Sequence, residues 1–486
     1  MAVYKLFPTK DASLYSVSQS VNTGLDEILD LSTYIANGVA QTNRALVKYS
    51  DLEMDKVINN IKSNGASIIL TTSLIFTPEP SGVNGVYNNI PLIGSLSNAN
   101  NALATITIAV DGTITSAIVT NGGSGYKVGD VLKIESGLLG LGSLETLSSP
   151  VLNKILEYDV DLRLSSAVVT GLSQDATVET YPISQSWNMG TGRLFDNPPT
   201  QNGASWVWND FSGSIVSSIA QKWQTSGFSA PGVTPYATAS FPDPSVQPDM
   251  SGGGTWYYAN SSGISYTMKQ LFSYSNPTDL NIRVTPSVKE QMLYQLNPSE
   301  GQKNEGFIVK QTGSQEFLNS INTQATFKFF SIDTNTIYPP QLEIKWDDSL
   351  FQTGSNNNGV LDTNQSLISV YNNNGIYYSQ SIAEFRIGAT PQYPIRQFQT
   401  ASQYNTNHFL PEDTSLYAIK DSETNEMIID FDSNYTKISA DSVSSYFTVY
   451  MNGLEPERDY TILIKTLIGG VVNVFDEDIR FKVVNG

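Results

Sequence analysis

Three tryptophans, Trp187, Trp206 and Trp208, fall within residues 181–209, YPISQSWNMGTGRLFDNPPTQNGASWVWN. Aromatic faces so grouped can stack on sugar rings, and Trp208 is the candidate glycan contact. Large aromatics mostly serve burial, so Trp187 and Trp206 read as core residues pinning a long loop. Gly190, Gly192, Pro198, Pro199 and Gly203 break that loop. Other chemistry is thin. His408 is the only histidine, so a Ser-His-Asp triad or a His-bearing metal site would have to use it. It sits in YNTNHFLPED, a polar stretch without a motif. Asp430, Asp432, Asn434 and Asp441 match positions 1, 3, 5 and 12 of a calcium loop, but position 6 is Tyr435 where the sharp turn needs glycine. A solvated turn is the plainer reading. Gly122, Gly123 and Gly125 form NGGSG with no following Lys-Ser/Thr, so no P-loop is present. The 46 acidic residues allow many carboxylate pairs for glycoside hydrolysis, and no spacing singles one out. No catalytic, cofactor-binding or metal-binding residue is therefore assigned, and no enzyme is expected.

The elements that must carry these residues are mostly strands. Abundant Tyr, Asn, Ser, Thr and Gly favour short strands joined by turns. A chain of 486 residues is too long for one ordinary core, so two or three domains are expected. Hydrophobic content of 40% against 15% charged marks a globular chain. The formal charge of -19 disfavours phosphate backbones and anionic membrane surfaces, so nucleic acid is not an expected partner. With no cysteine, disulfides, thiolate nucleophiles and Cys-based zinc sites are excluded. MAVYKLFPTKDASLY carries no apolar signal core, and no run of about 18 apolar residues occurs, so neither export nor membrane insertion is expected.

Along the chain, residues 11–31 predict a strand, a loop and a second strand. In NRALVKYSDL, residues 43–52, the alternation of Ala45, Val47 and Tyr49 is better than that of Leu46, Lys48 and Ser50, so the first face should point inward. A helix follows, capped by Ser50 or Asp51, with Met54, Val57, Ile58 and Ile61 at helical spacing and Gly65 at its end. Residues 66–76 return to a β pattern. TPEPSGVNG at residue 77 marks a composition shift, and residues 77–150 read as an insertion. Within it, ATITIAVDGTITSAIVT predicts a hairpin around a type I′ Asp111-Gly112 turn, with Ile106, Ile108 and Val110 on one face. One more strand should follow within residues 131–134. Residues 155–169 alternate again, 211–254 are loop-like, and 280–296 read as a strand entering a helix with Thr285 as N-cap and Pro286 as first residue. Strands GFIVKQ, TFKFFSID and PPQLEIKWDD close this part. Residues 349–414 are expected to be a linker or extended arm, and 415–486 carry strands at the near-regular spacing of a small β-sandwich.

Four segments recur in a known pattern: NRALVKYSDL; YPISQSWNMGTG with NGASW; DLNIRVTPSVKEQML; and NEGFIVKQ with FKFFSIDTNTIYPPQLEIKW. With the opening DASLYS they resemble the DNRLRE or disaggregatase-type β-sandwich family, a carbohydrate-binding-like jelly roll. Asn43, Arg44, Leu46 and Tyr49 fit its first strand, and Trp187, Gly190 and residues 203–206 its second motif. Val284 and Thr285 fit the third, and Asn304, Gly306, Phe307, Ser331, Pro340 and Leu342 the fourth. Tyr-Ser-Asp stands where the family has Phe-Asp, and Asp333 where it has Glu. The insertion and the opening LFPTKDASLY are similar to modules of tailed-phage virion proteins. Leu454-x-Pro456-x-x-x-Tyr460 resembles the fibronectin type III pattern, in which the tyrosine forms a corner.

The resemblance implies a mainly β chain. Residues 1–76 and 151–348 would form a discontinuous jelly roll, 77–150 an inserted β module, and 415–486 an Ig-like or fibronectin III-like sandwich. Arg44, Trp187, Trp206, Phe307 and Tyr460 would define the folds. It implies a structural component of a tailed-phage virion, in the tail, baseplate or neck, contacting other virion proteins and copies of itself. The alternatives are a receptor-recognition protein that binds a surface glycan and, behind it, an accessory module of a polysaccharide-degrading enzyme.

Overall fold

The computed structural model describes residues 2–36, 39–63, 83–94, 100–124, 131–139, 146–151, 158–172, 175–211, 222–223, 235–237, 252–261, 263–275, 278–296, 298, 301–316, 325–347, 349, 351, 353, 359–393 and 407–486. It is mainly β, built from several antiparallel sheets of the β-sandwich class. Two compact units divide the chain. One joins Lys5–Met54 to Asp159–Ile344; the other comprises Met1–Tyr4, Asp55–Tyr158 and Lys345–Gly486.

In the first unit, the strands Lys269–Phe272, Ala176–Pro182, Phe307–Gln311, Val39–Tyr49 and Pro8–Tyr15 lie side by side in that order, with Thr33–Ala36 paired to the start of Val39–Tyr49. Segments more than 250 residues apart thus hydrogen-bond directly: Val47 faces Phe307 and Ala45 faces Val309. A second sheet orders Ser166–Thr170, Thr326–Phe330 and Ile28–Leu31. The two sheets meet where the Phe272 and Phe327 rings pack with centroids 4.7 Å apart. Ala45, Val47 and Tyr49 are buried as their alternation predicts, but Leu46 and Arg44 on the other face are buried as well. Leu46 packs into a cluster with Leu14, Ile183, Trp187, Trp206, Trp223, Trp256 and Ile308. The strand is covered on both sides, which is why its alternation is poor.

Of the two expected helices, the first matches its expectation where it is described and the second differs at its cap. The helix Asp51–Ser63 begins on Ser50, whose hydroxyl accepts the Glu53 N–H at 3.4 Å. Met54 and Val57 are buried as predicted. Gly65 and the β pattern of residues 66–76 lie outside the described residues. The helix Thr285–Leu296 takes its first bond on the Val284 carbonyl, which accepts Val288 N–H at 3.1 Å. Thr285 is therefore not the cap. Its hydroxyl accepts Val160 N–H at 2.8 Å and ties the helix start to the strand Tyr158–Leu164.

In the second unit, the inserted residues form one five-stranded sheet, ordered Thr146–Val151, Val131–Glu135, Gly85–Gly94, Asn100–Ile108 and Ile114–Ser124. The hairpin is present, with a different turn. Ala109 and Thr113 close a three-residue loop in which Gly112 N–H reaches Ala109 O at 3.0 Å and Gly112 alone has positive φ, at 85°. Asp111 keeps negative φ because its carboxylate binds Thr113 through N–H and hydroxyl, at 3.1 and 2.7 Å, and holds a type I turn with a bulge. Val110, expected on the apolar face, is at the tip and 88% exposed. Ile106 and Ile108 are buried with Ile90, Leu92, Ala104, Leu132 and Ile134.

The rest of this unit is a sandwich. One sheet orders Ser366–Val370, Ile382–Pro391, Ser445–Tyr450 and Ser439–Ala440; the other orders Ile376–Tyr378, Val471–Val484, Arg458–Ile468, Leu416–Asp421 and Met427–Ile429. Phe385, Ile387, Phe447, Tyr417, Ile462, Phe481 and Val483 belong to the common core. Residues 349–414, expected as a linker, supply three of these strands. Their Asn and Gly content hid the alternation of Ile382–Pro391, which buries Ala383, Phe385, Ile387 and Ala389.

Candidate functional site

The tryptophan-rich stretch is organised by two buried polar knots in the first unit. The first centres on Arg44. Its Nε and Nη2 donate to the two Glu316 carboxylate oxygens at 2.9 and 2.7 Å, and its Nη1 donates to Gly253 O at 2.8 Å. The guanidinium lies 4.9 Å from the Trp206 ring centroid and 5.4 Å from that of Trp256. Lys310 adds a second cation, 3.5 Å from Glu316. A planar fork both bidentate and stacked is a use that lysine cannot fill. Gly253 makes the approach feasible. Its φ is +76°, and a Cβ there would lie 2.6 Å from Arg44 Nη1 and 2.8 Å from the Trp206 ring.

The second knot is Asn22. Its amide donates to Met189 O and Ala204 O, each at 2.7 Å, and its carbonyl accepts Gly192 N–H at 2.7 Å. One buried side chain therefore closes both ends of the loop between Met189 and Ala204. Further along, Asp26 accepts Leu194 N–H at 3.2 Å, and Asp196 accepts Arg193 N–H at 2.9 Å and the Thr200 hydroxyl at 2.8 Å. These bonds fix the turn of residues 193–196. At its tip stands Phe195, 92% exposed. Asp26, Asp196 and Asp333 each feel the Arg193 charge, and Glu27 bears on Asp26 and Asp333 as a like charge, so the tip sits on an acidic rim. Burial raises the Asp26 carboxyl above its usual range, against the pull of the Leu194 N–H and Arg193. Beneath the rim, burial pushes Asp11 up to about 7, opposed by the Ile332 N–H it accepts at 2.7 Å and reinforced by the Asp333 charge.

The residues expected to define the folds are all buried: Arg44, Trp187, Trp206, Phe307 and Tyr460. Trp187 Nε1 donates to Glu305 O at 2.8 Å, and Lys10 Nζ donates to Trp187 O at 2.7 Å. Trp208 is the partly exposed ring of its stretch, and it is not bare. Phe211 packs against it at 5.1 Å and the Lys222 ammonium lies 5.0 Å from its centroid. Far from this stretch in sequence, Tyr460 donates its hydroxyl to Glu455 O at 2.9 Å, five residues back.

Other candidates are engaged elsewhere. His408 N–H donates to Ala389 O at 2.8 Å, at the rim of the sandwich. Asp432 accepts Asn434 and Tyr435 N–H groups in a tight turn. Asp441 pairs with Arg386 at 2.9 Å, which holds its carboxyl down at about 2. Among the described residues, no group of three or more His, Cys, Asp or Glu side chains could hold a metal ion. Gly122 and Gly123 continue the strand Ile114–Ser124, and Gly125 lies outside the described residues. Sequence reasoning missed Asn22, Glu316, Trp256 and Phe195. Only Asn22, in the turn-type run VNTG, carried a local signal. Set against known proteins, the chain matches no family model, no curated protein and no solved structure.

Proposed function

We propose that the chain is a structural component of a tailed-phage virion, in the tail, baseplate or neck, that works through protein contacts and not through catalysis. The observation that carries this reading is Phe195. A nearly bare aromatic is held on a turn whose backbone is already hydrogen-bonded on both sides. Such a side chain adds contact area with little left to order, which is the profile of a binding hot spot. The acidic rim suits a partner surface with basic groups around an apolar pocket. We read the first unit as the DNRLRE-type jelly roll and the C-terminal sandwich as fibronectin III-like. The bond from Tyr460 to Glu455 supports the latter, being a tyrosine corner.

The second reading is glycan recognition at Trp208, favoured by its partial exposure. A sugar would have to share that ring with Lys222 and Phe211. The Phe195→Ala variant separates the two readings. The expected outcome is unchanged melting with reduced entry into particles. Normal entry, with glycan binding lost on Trp208→Ala, would overturn the first reading in favour of the second.

A further inference from the structure

The strand Val471–Val484 is paired along its inner side with Arg458–Ile468. Along its outer side, Ile376–Tyr378 pairs only with residues 482–484. Among the described residues, no strand pairs with the outer edge from Val471 to Phe475, although the Asn364 side chain reaches its middle and accepts the Asn473 amide at 2.9 Å. This edge lacks the usual guards. It holds no proline and no lysine, and Val471, Val472 and Val474 are each more than half exposed. On the neighbouring strand, Leu467 opposite Val472 extends the apolar strip and Lys465 opposite Val474 bounds it. Guarding begins only at Asp476: Asp476, Glu477 and Asp478 follow, Asp478 has φ +53°, and the pairing register shifts there.

We infer that this edge pairs with the same edge of a second copy of the chain, antiparallel, about a two-fold axis through Asn473. The strand's own sequence selects this occupant. In an antiparallel pair, opposite residues share a face, so a two-fold normal to the sheet must pass through a residue. With Asn473 on the axis, Val472 of each copy faces Val474 of the other, and Val471 faces Phe475. Every apolar residue of the open edge meets an apolar one. Asp476 falls opposite Gly470, where the Gly469–Gly470 turn ends the strand, so the acidic runs of the two copies lie at opposite ends. The paired stretch ends where the irregular register begins. Centring on Val474 instead would set Val472 against Asp476. The ladder is short, so the association belongs to the weak, concentration-dependent class, strengthened when copies are held side by side in an assembly. It uses a different surface from Phe195 and does not depend on where the protein is deployed.

Sedimentation of the full chain tests the pairing. The wild type should shift toward twice the monomer mass as concentration rises, and Val472→Lys should stay monomeric with unchanged melting. The register is tested with cysteine, which the chain lacks. Asn473→Cys places the new thiol opposite its own copy and should form a disulfide-linked dimer at least tenfold faster than Val471→Cys, whose neighbour is Phe475. A wild type that is monomeric at every concentration, or equal cross-linking at 471 and 473, would overturn the proposal. Presence or absence of the protein in particles would not bear on this result.

Discussion

At the scale of residues, the stability of the first unit rests on groups whose partners lie far away in sequence. Arg44 and Glu316 are both buried, so removing Arg44 leaves Glu316 with Lys310 alone, and removing Glu316 leaves the Arg44 guanidinium without a carboxylate in a dry site. Arg44→Ala should destabilise by about 3–5 kcal/mol, and Arg44→Met with Glu316→Leu by less than either single change, measured by denaturant unfolding. Trp206→Ala should cost a similar amount, about 3–5 kcal/mol, because the ring is buried. Asp11 gives a pH signature. Its carboxyl is raised to about 7 in the folded chain, so the folded state binds a proton that the unfolded state has released above about pH 4. Stability should therefore fall as pH rises from 4 to 7, by roughly 4 kcal/mol for this group, and level off above. Asp11→Asn should flatten that slope in tryptophan fluorescence, since five of the six tryptophans lie in this unit. Trp206 was legible as a large aromatic suited to burial, and Arg44 was singled out only through the resemblance. Glu316 was not, because no spacing encodes an ion pair across 272 residues.

At the scale of elements, hydrophobic alternation located most strands, and it failed where its physical premise failed. Residues 42–47 of the strand Val39–Tyr49 are buried on both faces, so period two carries little information there. The Asp111-Gly112 pair marked the hairpin, but Asp111's bonds to Thr113 chose a longer turn than the dipeptide implies. The strands within residues 366–391 were hidden by the Asn-rich composition between them. The loop after Trp187 was legible as a loop, while its rigidity was not, because that comes from Asn22, 167 residues away from Met189. Asn22→Ala removes the side-chain partner of four backbone groups, Met189 O, Ala204 O, Gly192 N–H and Gly24 N–H. It should open residues 190–203 to limited proteolysis in the native state, while the wild type resists under the same conditions. In the C-terminal sandwich, Asp421 and Asp441 are held down at about 2 by Arg458 and Arg386 despite burial. Their contribution is present above about pH 4 and lost as pH falls toward 2, the opposite sense to Asp11.

At the scale of the whole molecule, the chain combines a discontinuous sandwich, a five-stranded insert and a second sandwich, each with its own apolar core. Composition shifts and turn signals marked residues 77–150 off from their flanks, but the linker expected over residues 349–414 instead supplies strands to the second sandwich. The exposed features with the clearest binding character, the Phe195 tip and the Val471–Phe475 edge, were not, because exposure follows from packing and not from residue type. Replacing residues 83–151 by a short Gly-Ser bridge should leave the first unit cooperatively folded, since none of its described sheets uses an inserted strand. Loss of cooperative melting would mean that the insert belongs to that core. The central claim is deployment in a particle. Quantitative mass spectrometry of particles purified by two independent routes should find this chain at one fixed ratio to the major capsid protein in both preparations; finding it only as free protein outside particles, with activity against a polysaccharide, would contradict the account.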